Sequence, residues 1–247
     1  METLTSHDPA REFLDLWSDI EQHLKQKYSL AENARGMGDI LAATHGRDAL
    51  VRRYAPDLTA FRELRNAISH HRYRDGTPIA TPRRDTIERL RRIHHELLNP
   101  VRIGQCLRGR AVITATPEQP LRDALREMMQ YTFSQLPVYD NNNYLELLTT
   151  NAVARWLAAQ ISDAGEVLVD QVRVREVLDF VEPTEKVLHR AKTVTVAAVI
   201  DDFRENDSGA LVAVIVSEQG LRTQKPLGVV VRDDISFLLE QLPAVGV

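Results

Sequence analysis

Two spacing rules meet at Pro100, and together they limit what this chain can fold into. Before it, apolar residues return every three or four positions, the repeat of a helix with one buried side. After it, short β-branched runs alternate with helical stretches, and the same order occurs twice. Asp8 followed by Pro9 reads as an N-cap and first helical position, and Phe13, Leu16, Trp17, Ile20 and Leu24 then recur at helical spacing. "GMGDILAATHG" and "RDALVRRYA" read as short helices, and Asp57 suits the cap of another carrying Leu58, Phe61, Leu64 and Ile68. The glycine and two prolines of "RDGTPIATPRRD" break the pattern, after which "TIERLRRIHHELL" resumes it with Ile87, Leu90, Ile93 and Leu97. These spacings predict a helical bundle over residues 1–80 and a connector helix over 81–99.

Beyond Pro100 the period changes. "RAVITATPEQP" gives a short strand and a proline-started helix with Leu121, Ala124, Leu125 and Met128 inward. "LPVYD", an Asn-rich turn, "YLELLT" and a closing helix follow. The order recurs from Val172: "TVTVAAVIDDFREN" as strand into helix, "ALVAVIVSEQG" and "PLGVVV" as strands, "RDDISFLLEQL" as the last helix. The predicted fold class is α + α/β, an N-terminal helical bundle followed by two tandem β-α-β-β-α units over residues 100–160 and 161–247.

Composition excludes several classes. No apolar run approaches the roughly 18 residues of a spanning helix, and "METLTSHDPAREF" has neither a basic start nor an apolar core, so a cytoplasmic protein with no membrane partner is expected. The single cysteine, Cys106, cannot form an intrachain disulfide and is expected as a buried free thiol. A net charge of -4 argues against coating nucleic acid through the overall field. A local basic surface remains open, since residues 61–110 hold 12 arginines against 5 acids.

At "LPVYD" followed by "LELLTTNAV", and again at "LVAVIVSEQG" followed by "LGVVVRDDI", the C-terminal half resembles a pair of CBS domains. The resemblance implies an adenine nucleotide as regulatory ligand, with a Thr and, three residues on, an Asp holding the ribose. The first copy has Thr149 but Ala152 where the Asp belongs; the second has Asp234 but Val231 where the Thr belongs. A complete clamp exists in neither copy; Thr149 and Asp234 are therefore the candidate ligand-binding residues, with at most one site per chain expected, on the Asp234 side. Both residues equally suit plain helix caps.

The stretch "FRELRNAISHHRY" carries Arg65, Asn66, His70 and His71, and here the N-terminal half resembles a HEPN domain. The resemblance implies a metal-independent endoribonuclease acting as a homodimer on RNA, without a catalytic cofactor, with those four residues as the catalytic set. Metal-free RNA cleavage must deprotonate a 2′-hydroxyl, support charge on phosphate and protonate the departing 5′-oxygen. Histidine suits the proton work and arginine the phosphate. Arg89 and His94 repeat the spacing, but Leu90 follows that arginine where the family has a polar residue.

Five helical residues subtend about 140° of rotation, so Arg65 and His70 are not expected to meet along one continuous helix. Either the helix ends near Ser69 and the histidine swings back, or two chains bring their motifs together across a two-fold axis. The histidine pairs His70-His71 and His94-His95 point about 100° apart on a helix and do not face one ion, so no metal is expected. The reading that follows is a ligand-regulated ribonuclease with a nucleotide-sensing CBS pair. Its alternative is a non-enzymatic sensor whose bundle dimerises or binds a partner.

Overall fold

The computed structural model describes residues 8–30, 36–70, 78–107, 112–161, 171–206 and 210–242. The chain divides into two compact units: residues 1–101 with 196–201 and 240–247, and residues 102–195 with 202–239.

In the first unit, α1 (Pro9–Lys27) starts as the sequence requires: the Asp8 carboxylate accepts the Ala10 N–H, and Pro9 fills the first turn, where no N–H is needed. Its buried side carries Phe13, Trp17, Ile20 and Leu24. α2 (Met37–Thr44) adds Met37 and Ile40 to the same core. α3 runs unbroken from Ala49 to His70, through Pro56. Two short helices, the second capped by Asp57, were expected here. The start is instead set by Asp48, whose carboxylate accepts the N–H groups of Leu50 and Val51 (2.8 and 3.2 Å). Asp57 pairs with Arg89 at 2.9 Å.

Asp48 is 6% exposed and also receives Lys27 (2.8 Å) and the Tyr28 hydroxyl (2.5 Å). Burial alone would raise its pKa, but the Lys27 and Tyr28 hydrogen bonds outweigh it and hold the carboxyl below its ordinary value. α4 (Arg84–Leu98), expected as a connector, buries Leu90, Ile93 and Leu97 among the residues of α1 and α3. Its amphipathic repeat is that of a bundle helix, and burying an aliphatic side chain contributes about 1.5–3 kcal/mol, enough to hold it in this core.

Beyond Val101 two runs of elements follow, each opening on a short helix; residues 196–201 of the second run belong to the first unit. The first has α5 (Ile103–Cys106), α6 (Leu121–Tyr131), the antiparallel hairpin β1 (Gln135–Asp140) and β2 (Asn143–Thr149), and α7 (Thr150–Gln160). The strand expected before α6 is reduced, among the described residues, to a parallel bridge between Ala115 and Val138. Asn141 makes the hairpin turn at φ 55°, which Asn tolerates better than most side chains.

The second copy has α8 (Val174–Leu178), β3 (Lys186–Ala191), α9 (Val196–Glu205), β4 (Leu211–Ser217), β5 (Pro226–Val230), a 3₁₀ turn (Arg232–Asp234) and α10 (Ile235–Glu240). Its sheet order is β3-β4-β5, parallel then antiparallel. The strand expected at "TVTV" is "KVLHRA" upstream. Val194 closes a turn onto the Ala191 carbonyl, and Val196 already begins α9, so β-branched alternation misled there.

The copies exchange matching bonds. Arg102 donates to the Thr193 carbonyl (2.8 Å) and Ile103 N–H to Val194, while Arg173 donates to the Glu118 carbonyl (3.0 Å) and Val174 N–H to Gln119. Each copy's short first helix thus docks on the strand-to-helix turn of the other. Cys106, expected to be buried, is partly exposed, its Sγ 3.9 Å from the Arg102 carbonyl. It follows Ile103 on a single turn of helix whose buried side is held by that isoleucine.

Candidate functional site

Within the second unit a cavity of about 480 Å³ opens between the copies. One wall is Leu107, Ile113, Phe133 and Pro137; the other is Val229, Val231 and Asp234. A mostly apolar cleft with two neighbouring carboxylates, Asp233 and Asp234, at its rim suits a flat apolar ring carrying hydroxyl donors. Asp234 ends the 3₁₀ turn after β5, and its Oδ2 accepts the Val231 N–H at 3.0 Å, which aims the carboxylate. A carboxylate can accept about four hydrogen bonds, so a cap can also serve a ligand diol.

Gly228 sets the width of the cleft: a Cβ there would lie 2.5 Å from the buried Leu107 Cδ1. Thr132 holds φ 57° at the end of α6, an unusual conformation for a β-branched residue, and also lines the cavity. Neither residue was singled out from the sequence. A glycine between "PL" and "VVV" was the available signal for the first; the second left none.

Thr149 does not line this cavity. It caps α7, accepting the Ala152 N–H at 3.0 Å, and its hydroxyl donates to Glu185 at 3.1 Å. Ala152 is fully buried in the core of the first copy.

In the first unit, a smaller cavity of about 220 Å³ is lined by Arg62, Arg65 and Asn66 from α3, Trp17 and Glu21 from α1, and the start of α2. Trp17, Glu21 and Arg62 were not foreseen, because their sequence positions are separated from the Arg65 motif or carry no motif of their own. Trp17 is 2% exposed, and its indole nitrogen has no hydrogen-bond partner among the described residues. Gly38 lets Arg62 approach, since a Cβ there would stand 3.0 Å from Arg62 Nη1.

Arg65 Nη1 lies 2.8 Å from His70 Nε2. The rotation argument against this contact fails because α3 continues to His70 and the long arginine stem spans the gap. Arginine has only donors, so Nε2 accepts and the imidazole proton sits on Nδ1. His71 lies outside the described residues. The rival pair is taken apart by carboxylates: Arg89 is held by Asp57, and His94 lies 3.2 Å from Asp19. Among the described residues no three metal-ligating side chains converge, and no helix is long and apolar enough to cross a membrane.

Comparison with known proteins gives a match of residues 107–159 to the CBS domain family. No curated protein matches the chain. Similar solved structures include a putative signal-transduction protein with CBS domains from Burkholderia ambifaria (20% identity, 59% of this chain and 100% of that one, TM-score 0.41). Others are the CBS domain of a CBS domain-containing membrane protein from Sphaerobacter thermophilus (19%, 66% and 100%, 0.44) and CBSX2 in complex with AMP (15%, 57% and 97%, 0.41).

Proposed function

With a CBS domain over residues 107–159 as premise, we propose that the chain is a ligand sensor whose second unit takes an adenine nucleotide in the 480 Å³ cavity. The observation that carries this reading is Asp234, oriented by the Val231 N–H beside its neighbour Asp233, on the wall of a mostly apolar cleft between the two copies. Leu107, Ile113 and Val229 suit the faces of a purine, and the Asp234 carboxylate suits the ribose hydroxyls. Regulation then requires the ligand to favour one state of the protein over another, since equal affinity for both shifts nothing. Thermal unfolding with a panel of AMP, ADP, ATP and guanine nucleotides tests the ligand class. A bound ligand at 100 times its Kd stabilises by about 2.7 kcal/mol, and adenine nucleotides are expected to raise the midpoint where guanine nucleotides do not. Indifference to all of them would remove the reading.

A second reading, RNA cleavage by the first unit, is favoured by the 2.8 Å contact between Arg65 and His70 and by the cavity that Arg65 and Asn66 line. In this arrangement Arg65 occupies the lone pair of His70 Nε2. A phosphate drawing the guanidinium away frees that nitrogen to take the 2′-hydroxyl proton. The 2′-oxygen then attacks phosphorus, the bond to the 5′-oxygen breaks, and that oxygen takes the proton that His70 removed from the 2′-hydroxyl. Asn66 suits a further hydrogen bond to phosphate. The Arg65–His70 contact needs no second chain, so a homodimer is implied by the resemblance alone. RNA cleavage that survives chelator and drops about a hundredfold or more in Arg65→Ala and His70→Ala is expected. Full activity in both variants would leave the bundle as a dimerisation or partner-binding element.

A further inference from the structure

The first copy presents the start of α7 where the second presents the turn holding Asp234, and that place is filled from within the chain. Glu185, just before β3, is 8% exposed. Its Oε1 accepts the Thr149 hydroxyl (3.1 Å) and the Asn151 amide (3.4 Å). Its Oε2 accepts Arg155 Nη2 (2.5 Å) and the Glu182 N–H (3.0 Å). Arg155 is itself fixed by donating from Nε to the Phe180 carbonyl at 2.8 Å, and Glu182 approaches its Nη1 at 3.3 Å.

We propose that Glu185 is a built-in anion that closes the first copy's ligand position, so that the chain binds its nucleotide only on the Asp234 side. The proposal rests on the ligand reading above.

The chemistry of the surroundings is one-sided. The Thr149 hydroxyl, the Asn151 amide and the Arg155 guanidinium all donate, at the positive end of an 11-residue helix. Such a set holds an oxyanion, and the charge-assisted bond to arginine is its strongest member. In the second copy the related turn supplies its own carboxylate, Asp234, and faces an open cavity. In the first, Ala152 supplies none, and the carboxylate comes instead from a residue 33 positions away (185 − 152). An outside phosphate would have to displace a buried carboxylate already making four hydrogen bonds and tethered to the chain, a competition the intramolecular group wins. Removing the carboxylate leaves the donors in place for another anion.

The test compares wild type, Glu185→Ala, Asp234→Ala and the double variant by calorimetry with AMP and by thermal unfolding with formate and inorganic phosphate. Wild type is expected to bind one AMP and to ignore formate. Glu185→Ala is expected to gain a second AMP event that persists in the double variant, and a midpoint that rises with formate or phosphate. A folded Glu185→Ala that still binds one AMP and responds to anions no more than wild type would overturn the closure while leaving the ligand reading intact. No AMP heat in wild type, together with formate rescue of Glu185→Ala, would sink the ligand reading and uphold the closure. Should Glu185→Ala fail to fold, Glu185→Gln keeps the side-chain shape and removes the charge. Phosphate must then stabilise it more than wild type, and an equal response would overturn the proposal.

Discussion

Gly228 carries more of the cavity's shape than its size suggests. Leu107 fills the space that a side chain at 228 would occupy, and both residues line the cleft. Gly228→Ala must push the Leu107 side chain inward or shift β5, and overpacking of this kind costs about 1–3 kcal/mol. The expected result is a lower unfolding midpoint together with weaker nucleotide binding, read by thermal unfolding with and without AMP. Unchanged affinity would show that Leu107 moves elsewhere. Asp234 is the chemical counterpart of this steric residue: its role as a cap makes it structural whether or not a ligand is present, and only binding data separate the two.

At the scale of elements, α6 ends on Thr132 in the left-handed region, with its N–H directed to the Met128 and Met129 carbonyls. Thr132→Gly relieves a conformation that costs an L-residue roughly 1–2 kcal/mol, partly offset by glycine's greater freedom when unfolded. A net gain of about 0.5–1 kcal/mol in denaturant unfolding is expected; a loss would mean that the Thr132 side chain is held by its surroundings. This strain was invisible in the sequence, because "QYTFSQ" carries no turn residue that demands it.

Other elements could be read directly. Asp8 and Pro9 specify the start of α1 through local chemistry alone, and the α1 core positions Phe13, Trp17, Ile20 and Leu24 follow from period. α3 could not be read, because local rules put a break at Pro56 and tertiary burial of Val51, Tyr54 and Leu58 on either side overrides it. The Arg65–His70 contact was missed for a related reason: rotation along an axis says nothing about the reach of a long side chain. Glu185 was beyond sequence reasoning altogether, since its partners Thr149, Asn151 and Arg155 come from 30–36 residues away.

At the scale of the whole molecule, the second unit holds a half-buried histidine between its copies. His189 on β3 packs edge-on to Tyr144 with ring centres 4.8 Å apart, near Tyr139, and Arg222 lies over the Tyr144 ring. Both ring nitrogens of His189 and the Tyr139 hydroxyl are buried without a hydrogen-bond partner among the described residues. Burial, and then the charge of Arg222, lower the His189 pKa from 6.5 to about 4. The folded imidazole therefore stays neutral where the unfolded one takes a proton. Its effect on stability is absent above about pH 6.5 and becomes a growing loss as pH falls from there toward 4. Denaturant unfolding is expected to show wild type losing stability relative to His189→Phe across that window. Parallel profiles for the two proteins would remove His189 as the cause.

The central claim is that the cavity between the copies binds an adenine nucleotide through Asp234, and calorimetry of AMP into wild type and Asp234→Ala tests it most directly. Wild type is predicted to bind one AMP per chain. Loss of the carboxylate is predicted to cost about 1.5–3 kcal/mol, roughly ten- to a hundredfold in affinity, in a protein that remains folded. No heat with wild type, or equal affinity in the two proteins, would contradict the account.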